Sequence, residues 1–77
     1  MTTDDVKLGM FLSMPFQIEP IILFIASDDI EREAYEIVDL NKERTSYLSY
    51  YAVTKDVEEF EGDIDEAKQK TIEAVFS

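Results

Sequence analysis

The chain has 77 residues, of which 18 are acidic and 7 are basic, so its net charge is −11, and it contains neither cysteine nor histidine. This composition excludes disulfide bonds and zinc sites built from Cys and His, and the negative charge opposes direct binding to nucleic acid or to an anionic membrane. Hydrophobic residues are 45% of the chain, too many for a disordered acidic tail, so we expect a single small folded domain over residues 1–77.

The most apolar stretch of the sequence runs from Met10 to Ala26. Prolines and polar residues interrupt it, namely Pro15, Gln17, Glu19 and Pro20. A membrane-spanning helix needs about 20 uninterrupted apolar residues, and a signal peptide needs a basic segment before its apolar core. We therefore expect a soluble, cytoplasmic protein that does not bind membranes.

The first half of the chain predicts one clear strand. Residues 4–13 fit either a short helix or a strand over Val6–Ser13. The continuous apolar run Ile21–Ala26, with its branched and aromatic side chains, predicts a strand that is buried on both faces.

Residues 28–40 allow two interpretations. Asp28 and Glu31 have the spacing of a capping box, which favours a helix. The alternative is a hairpin, with strands over 34–40 and 45–53 joined by a turn at 41–44. We favour the hairpin because its second arm is rich in Tyr, Thr and Val. Neither face of that arm is strongly polar, so it needs a cover on both sides, either from the same chain or from another copy.

The C-terminal segment predicts an amphipathic helix over residues 56–76, or two halves separated at Gly62 with Asp63 capping the second. Its apolar ridge recurs at spacings of three and four: Val57, Phe60, Ile64, Ala67, Thr71, Ala74 and Val75. The predicted fold is therefore α+β, an antiparallel sheet of about three strands centred on Ile21–Ala26 with this helix packed on one face.

The densest negative charge lies in "DVEEFEGDIDE", residues 56–66. Seven of these eleven residues are acidic: Asp56, Glu58, Glu59, Glu61, Asp63, Asp65 and Glu66. On a helix they give one charge per about 2 Å, close to the value of about 1.7 Å for duplex DNA. Three interpretations follow: a solvated helix back, a surface that replaces nucleic acid on a basic partner, or a loose cation site at Asp63 and Asp65.

Further acids and tyrosines extend the candidate surface. A second acidic group comprises Asp28, Asp29, Glu31, Glu33, Glu36 and Asp39. Tyrosine is enriched at protein interfaces, so Tyr47, Tyr50 and Tyr51 are candidate contact residues, although we expect at least two of the four tyrosines to pack internally.

These patterns favour a binding protein over an enzyme. The usual catalytic base and thiolate are missing, and no glycine-rich phosphate loop occurs. We expect a non-catalytic acidic module, without cofactor or metal, that regulates or inhibits a protein partner with a basic surface. The alternative is a structural subunit of a homo-oligomer or larger complex, in which the acids only maintain solubility.

Overall fold

The computed structural model describes residues 2–15, 18 and 21–76. A short 3₁₀ turn at Thr3–Asp5 precedes a mixed set of strands and helices. In chain order these elements are β1 (Phe11–Met14), β2 (Ile21–Asp29), β3 (Ala34–Asp39), β4 (Arg44–Ser49), α1 (Tyr50–Lys55), β5 (Glu58–Glu59) and α2 (Ile64–Phe76).

The strands form one antiparallel sheet in the order β4-β3-β2-β1-β5, with β2 at its centre. The α+β class, the central strand and the β3–β4 hairpin are confirmed, although β2 continues to Asp29, beyond the predicted end at Ala26. The alternative of a capped helix at Asp28 is wrong. The predicted number of about three strands is also wrong, because the sheet has five. The alternative of a strand over Val6–Ser13 is correct only at its end, where the four-residue strand β1 begins at Phe11, and β5, which was not predicted, is two residues long. Runs this short show no clear alternation of polar and apolar residues.

Hydrophobic clusters cover both faces of the sheet. On the face that α1 covers, Val53 is fully buried against Leu23 and Ile25 of the central strand. On the face that α2 covers, Ala67 is buried against Phe11 and Val38. We call these the α1 face and the α2 face. Because strand side chains alternate, β2 supplies apolar groups to both, as the doubly buried run predicted.

The second arm of the hairpin ends four residues earlier than predicted. The strand stops at Ser49, whose Oγ accepts a hydrogen bond of 3.1 Å from the N–H of Ala52 and so caps α1. Tyr50 to Val53 are helical and bring Val53 onto the α1 face. The β-propensity of Tyr and Val is overridden here, because burial of Val53 requires the chain to leave the edge and cross the sheet.

The C-terminal helix is also shorter than residues 56–76. It begins at Ile64, and Asp63 caps it by accepting a hydrogen bond of 3.1 Å from the N–H of Glu66. The alternative with a break at Gly62 therefore describes this half correctly, but the preceding half is the strand β5 and not a helix.

The predicted apolar ridge of this helix is only partly buried. Ala67 is buried and Thr71 and Ala74 are half-buried, whereas Ile64 is 41% and Val75 51% exposed. The inward positions hold small side chains, which allow the helix to lie close to the sheet. The larger apolar groups are displaced to its flank.

The two turns of the β2-β3-β4 meander share one sequence pattern, "DIERE" at residues 29–33 and "DLNKE" at 39–43. In each, the aspartate Oδ1 accepts a hydrogen bond from the main chain three residues later, 3.2 Å from Asp29 and 3.1 Å from Asp39. In each, the final glutamate adopts a left-handed conformation, with φ of 53° at Glu33 and 54° at Glu43. The two loops are therefore one turn design used twice.

We expect Glu43→Gly to raise the free energy of unfolding by about 0.5–1 kcal/mol, because glycine removes the cost of a left-handed side-chain-bearing residue. Lys42→Gly in the same turn is the matched control and should lower it, since Lys42 has no left-handed φ to relieve. Urea unfolding at 25 °C measures both. A destabilised Glu43→Gly would contradict the strain assigned to this position.

Candidate functional site

The acids of residues 58–66 lie along one edge of the molecule. Glu58 and Glu59 form β5, the edge strand beside β1, and pair with Ser13 and Leu12. The remaining acids follow in the loop and the first turn of α2. All six side chains belong to exposed residues, and we call them the acidic edge: Glu58, Glu59, Glu61, Asp63, Asp65 and Glu66.

Most of this charge is not neutralised within the chain. Asp63 caps α2, and Glu66 forms an exposed ion pair of 3.5 Å with Lys70. The side chains of the other four acids make no hydrogen bond or ion pair with any residue in the part of the chain that the structure describes. Asp56, the seventh predicted acid, is half-buried at the C-terminal end of α1 and lies outside the acidic edge. Four carboxylates are therefore free to meet a partner.

The acidic edge differs in shape from the predicted helix back. Glu59 lies opposite Leu12 and shares the α1 face, whereas Glu58 lies opposite Ser13 on the α2 face. Residues in a strand advance about 3.3 Å each, compared with 1.5 Å in a helix. Of the six acids, only Asp65 and Glu66 lie in a helix. The charge-density comparison with DNA assumed helical spacing over residues 56–66, and it therefore loses its premise.

The loop of the acidic edge is held in place by an aromatic contact. The Phe60 ring packs on the α2 face, 6.4 Å from the Phe11 ring centroid. It also lies directly against Gly62, where an added Cβ would come 2.4 Å from the Phe60 Cζ. Gly62 therefore permits the ring to lie under the loop, which fixes Glu61 and Asp63 on the outside.

A groove adjoins the acidic edge on the α1 face. Its volume is about 610 Å³. Carboxylates from Asp5 and Glu59 line it, together with Lys7 and the turn at Leu8–Gly9. The acidic edge therefore meets a concave surface at Glu59, the residue that both share.

The second acidic group serves mainly internal contacts. Asp29 pairs with Arg32 at 3.0 Å, and Asp39, which is buried, accepts hydrogen bonds from its own turn. Glu36 accepts a hydrogen bond of 3.1 Å from Ser27 on the α2 face. Asp28 accepts one from Tyr50 on the α1 face. The group is thus divided between both faces and does not extend the acidic edge.

The tyrosines divide into a packed pair and an exposed pair. The rings of Tyr35 and Tyr50 pack at 5.1 Å within the α1-face core, so the expectation that two tyrosines pack internally is confirmed. Tyr47 and Tyr51 are 51% and 71% exposed. Tyr47 lies on β4, at the opposite edge of the sheet from β5. The predicted acidic and tyrosine contact residues therefore belong to two separate surfaces.

A β-bulge brings Asp28 to Tyr50. The β2–β3 register shifts between Ile25 and Ser27, which inserts one extra residue and turns Asp28 towards the α1 face. The Tyr50 hydroxyl donates to the Asp28 carboxylate. The pKa of Tyr50 is raised to about 12, mainly by this hydrogen bond and to a smaller extent by partial burial. The sequence analysis missed the extra residue Ala26, which changes the face of the sheet on which each later residue of β2 lies.

Within residues 2–15, 18 and 21–76, no group of three or more acidic side chains is arranged to hold a metal ion, Asp63 and Asp65 included. No helix among these residues has the length and apolar character needed to cross a bilayer.

Comparison with known proteins gives no assignment: no protein-family model, no curated protein and no solved structure matches this chain.

The Tyr50–Asp28 contact predicts a loss of stability in alkali. Because the folded-state pKa of Tyr50 is raised above the unfolded value of 10.0, its contribution is complete below pH 10 and is lost as the pH rises towards about 12. Urea midpoints measured across this interval should fall, and Tyr50→Phe should reduce the slope of that fall. Tyr51→Phe is the control and should leave the slope unchanged. An identical slope in Tyr50→Phe would remove this contact as the cause.

Gly62→Ala tests the support of the acidic edge. The new methyl group must displace the Phe60 ring from its place on the α2 face, so we expect a loss of about 1–3 kcal/mol in unfolding free energy. Glu61→Ala, one residue earlier and exposed, should change it by less than about 0.5 kcal/mol. Equal stability of the two variants would show that the ring does not lie beneath Gly62.

Proposed function

We propose that this protein is a non-catalytic acidic module that binds, and thereby regulates or inhibits, a protein partner with a basic surface. One observation carries the proposal: four exposed carboxylates of the acidic edge, Glu58, Glu59, Glu61 and Asp65, have no partner among the described residues. Neighbouring carboxylates repel one another, so this arrangement lowers stability in the free protein. A cationic partner relieves that repulsion.

The acidic edge suits recognition of lysine and arginine side chains. Its field attracts a basic surface at long range and increases the rate of encounter. The groove beside Glu59 also contains Asp5 and the cation Lys7. The Asp5 carboxylate already accepts hydrogen bonds from the N–H and hydroxyl of Thr2, so Glu59 is the carboxylate in this groove that can meet a cationic side chain. Binding to a basic groove that normally holds nucleic acid belongs to the same proposal, but it requires only opposite charge and not a copy of DNA geometry.

We propose no catalytic role for the same residues. Paired carboxylates act as acid and base when a cleft separates their environments, and the acidic edge lies in solvent. With no histidine or cysteine in the chain, binding is the chemistry that these side chains offer. A cytoplasmic location is part of this proposal. Proteins of a reducing compartment rarely contain disulfide bonds, and this chain has no cysteine with which to form one.

The homo-oligomer alternative has lost its original basis. It relied on a two-sided apolar strand over residues 45–53, but the chain leaves the sheet after Ser49, and Val53 is buried in the chain's own core. A different feature, the open edge formed by β4, favours self-association.

Charge reversal of the acidic edge tests the proposed function. We expect Glu58→Lys, Glu59→Lys and Glu61→Lys together to abolish recovery of basic proteins from the source cell, because the attraction becomes repulsion. The measurement is an affinity pull-down at low and physiological salt, with quantified recovery at each. The wild-type protein should recover its partner more strongly at low salt, since screening weakens contacts between exposed charges.

The matched control makes the same change in charge at exposed sites outside the acidic edge, with Glu31→Lys, Glu43→Lys and Glu73→Lys. This variant should retain the partner that the wild type binds. Equal loss in both variants would mean that net charge alone matters, and equal retention would reduce the acidic edge to a solubilising surface.

A further inference from the structure

The edge formed by β4 is open along six residues. In the described part of the chain β4 pairs only with β3, and five of its residues, all except Leu48, are exposed. An unpaired strand edge presents main-chain donors and acceptors that another strand can satisfy. The occupant that fits this edge is therefore an extended strand.

The direction of the main-chain groups follows from one hydrogen bond. The N–H of Tyr50 donates to the carbonyl of Glu33 at 2.9 Å, so position 50 faces β3. Main-chain groups alternate sides along a strand, hence those of Arg44, Ser46 and Leu48 also face β3. The outward groups belong to Thr45, Tyr47 and Ser49.

The two edges of the sheet are protected very differently. The β5 edge has two residues, and both are glutamate. Short length and charge are the devices by which proteins prevent unwanted pairing at a strand edge. The β4 edge has neither device, apart from Arg44 at its start, and contains no bulge or proline.

The β4 edge lacks the acidic side chains that keep two copies of this chain apart elsewhere. Two molecules of net charge −11 repel each other over most of their surfaces. The segment from Arg44 to Lys55 contains no acidic residue. Arg32 lies over the Tyr47 ring at 4.7 Å. Its positive charge is balanced by the ion pair with Asp29. The β4 edge is therefore the place where two such chains can approach without opposing carboxylates.

We propose that two copies of the protein pair through antiparallel β4 strands, related by a two-fold axis at Tyr47. The outward positions are symmetric about this residue, so Tyr47 meets the other Tyr47, and Thr45 meets Ser49 of the second copy. The Tyr47 pair exchanges both of its main-chain hydrogen bonds. Each Thr45–Ser49 pair uses the Ser49 N–H, because the Ser49 carbonyl accepts the first hydrogen bond of α1. Hydroxyl-bearing residues opposite each other add cross-strand hydrogen bonds.

This pairing joins two sheets into one and leaves both acidic edges at the far ends. It does not depend on the proposed function, because it uses the opposite edge of the sheet. Strand pairing alone buries little area, so the dimer is in equilibrium with the monomer. Salt should strengthen the dimer by screening the overall repulsion, whereas it should weaken binding at the acidic edge.

The two-fold axis supplies the test, because a residue on it faces itself. We expect wild-type protein to dimerise in sedimentation velocity at concentrations up to about 1 mM. Tyr47→Lys alone and Tyr47→Glu alone should each raise the dissociation constant by about tenfold or more, since like charges then lie opposite each other. An equimolar mixture of the two should dimerise again. Circular dichroism of each variant checks that the fold is retained.

Gln69→Lys, on the exposed side of α2, is the matched control and should leave the dissociation constant unchanged. A monomer at every concentration would overturn the proposal without affecting the acidic edge. A dimer that survives both Tyr47 variants would also overturn it, and its loss in Ile72→Lys would transfer the contact to α2. Failure of the mixture to restore the dimer would exclude the two-fold at Tyr47.

Discussion

The structure depends on covering both faces of its central strand. β2 supplies Leu23 and Ile25 to one face and Ile22 and Phe24 to the other, and two short helices must cover them. This requirement explains why the chain leaves β4 at Ser49 and crosses the α1 face. It also agrees with the return of the acidic run as an edge strand, since this path places Val57 in the core before α2 covers the opposite face.

The sequence predicted the elements whose own residues determine them. Continuous apolar character determines β2, and Asp63 determines the start of α2. The strand β5 was missed because two glutamates have no strand propensity, and pairing with β1 alone makes them a strand. The helix α1 was missed because Tyr50 to Val53 favour β structure locally. Ser49, a preferred capping residue, was the available signal.

The candidate site shows the same division between composition and geometry. The acidic residues could be recognised from their density alone, and those of residues 58–66 are exposed. Their arrangement could not be predicted, because the sequence analysis placed a helix where the chain forms a strand and a loop. Asp39 was predicted to be part of the acidic surface. It is buried, and it accepts a hydrogen bond from the main chain of its turn. A carboxylate's role depends on whether main-chain donors surround it, which tertiary structure decides.

The unlike edges of the sheet limit how far strand pairing can extend. Once β4 is occupied, the remaining edge is a two-residue strand of glutamates, which offers almost no main-chain groups and repels another acidic chain. Assembly through the proposed β4 pairing would therefore terminate after one step. Open-ended growth into a fibre requires two compatible edges on each molecule, and the described residues form only one.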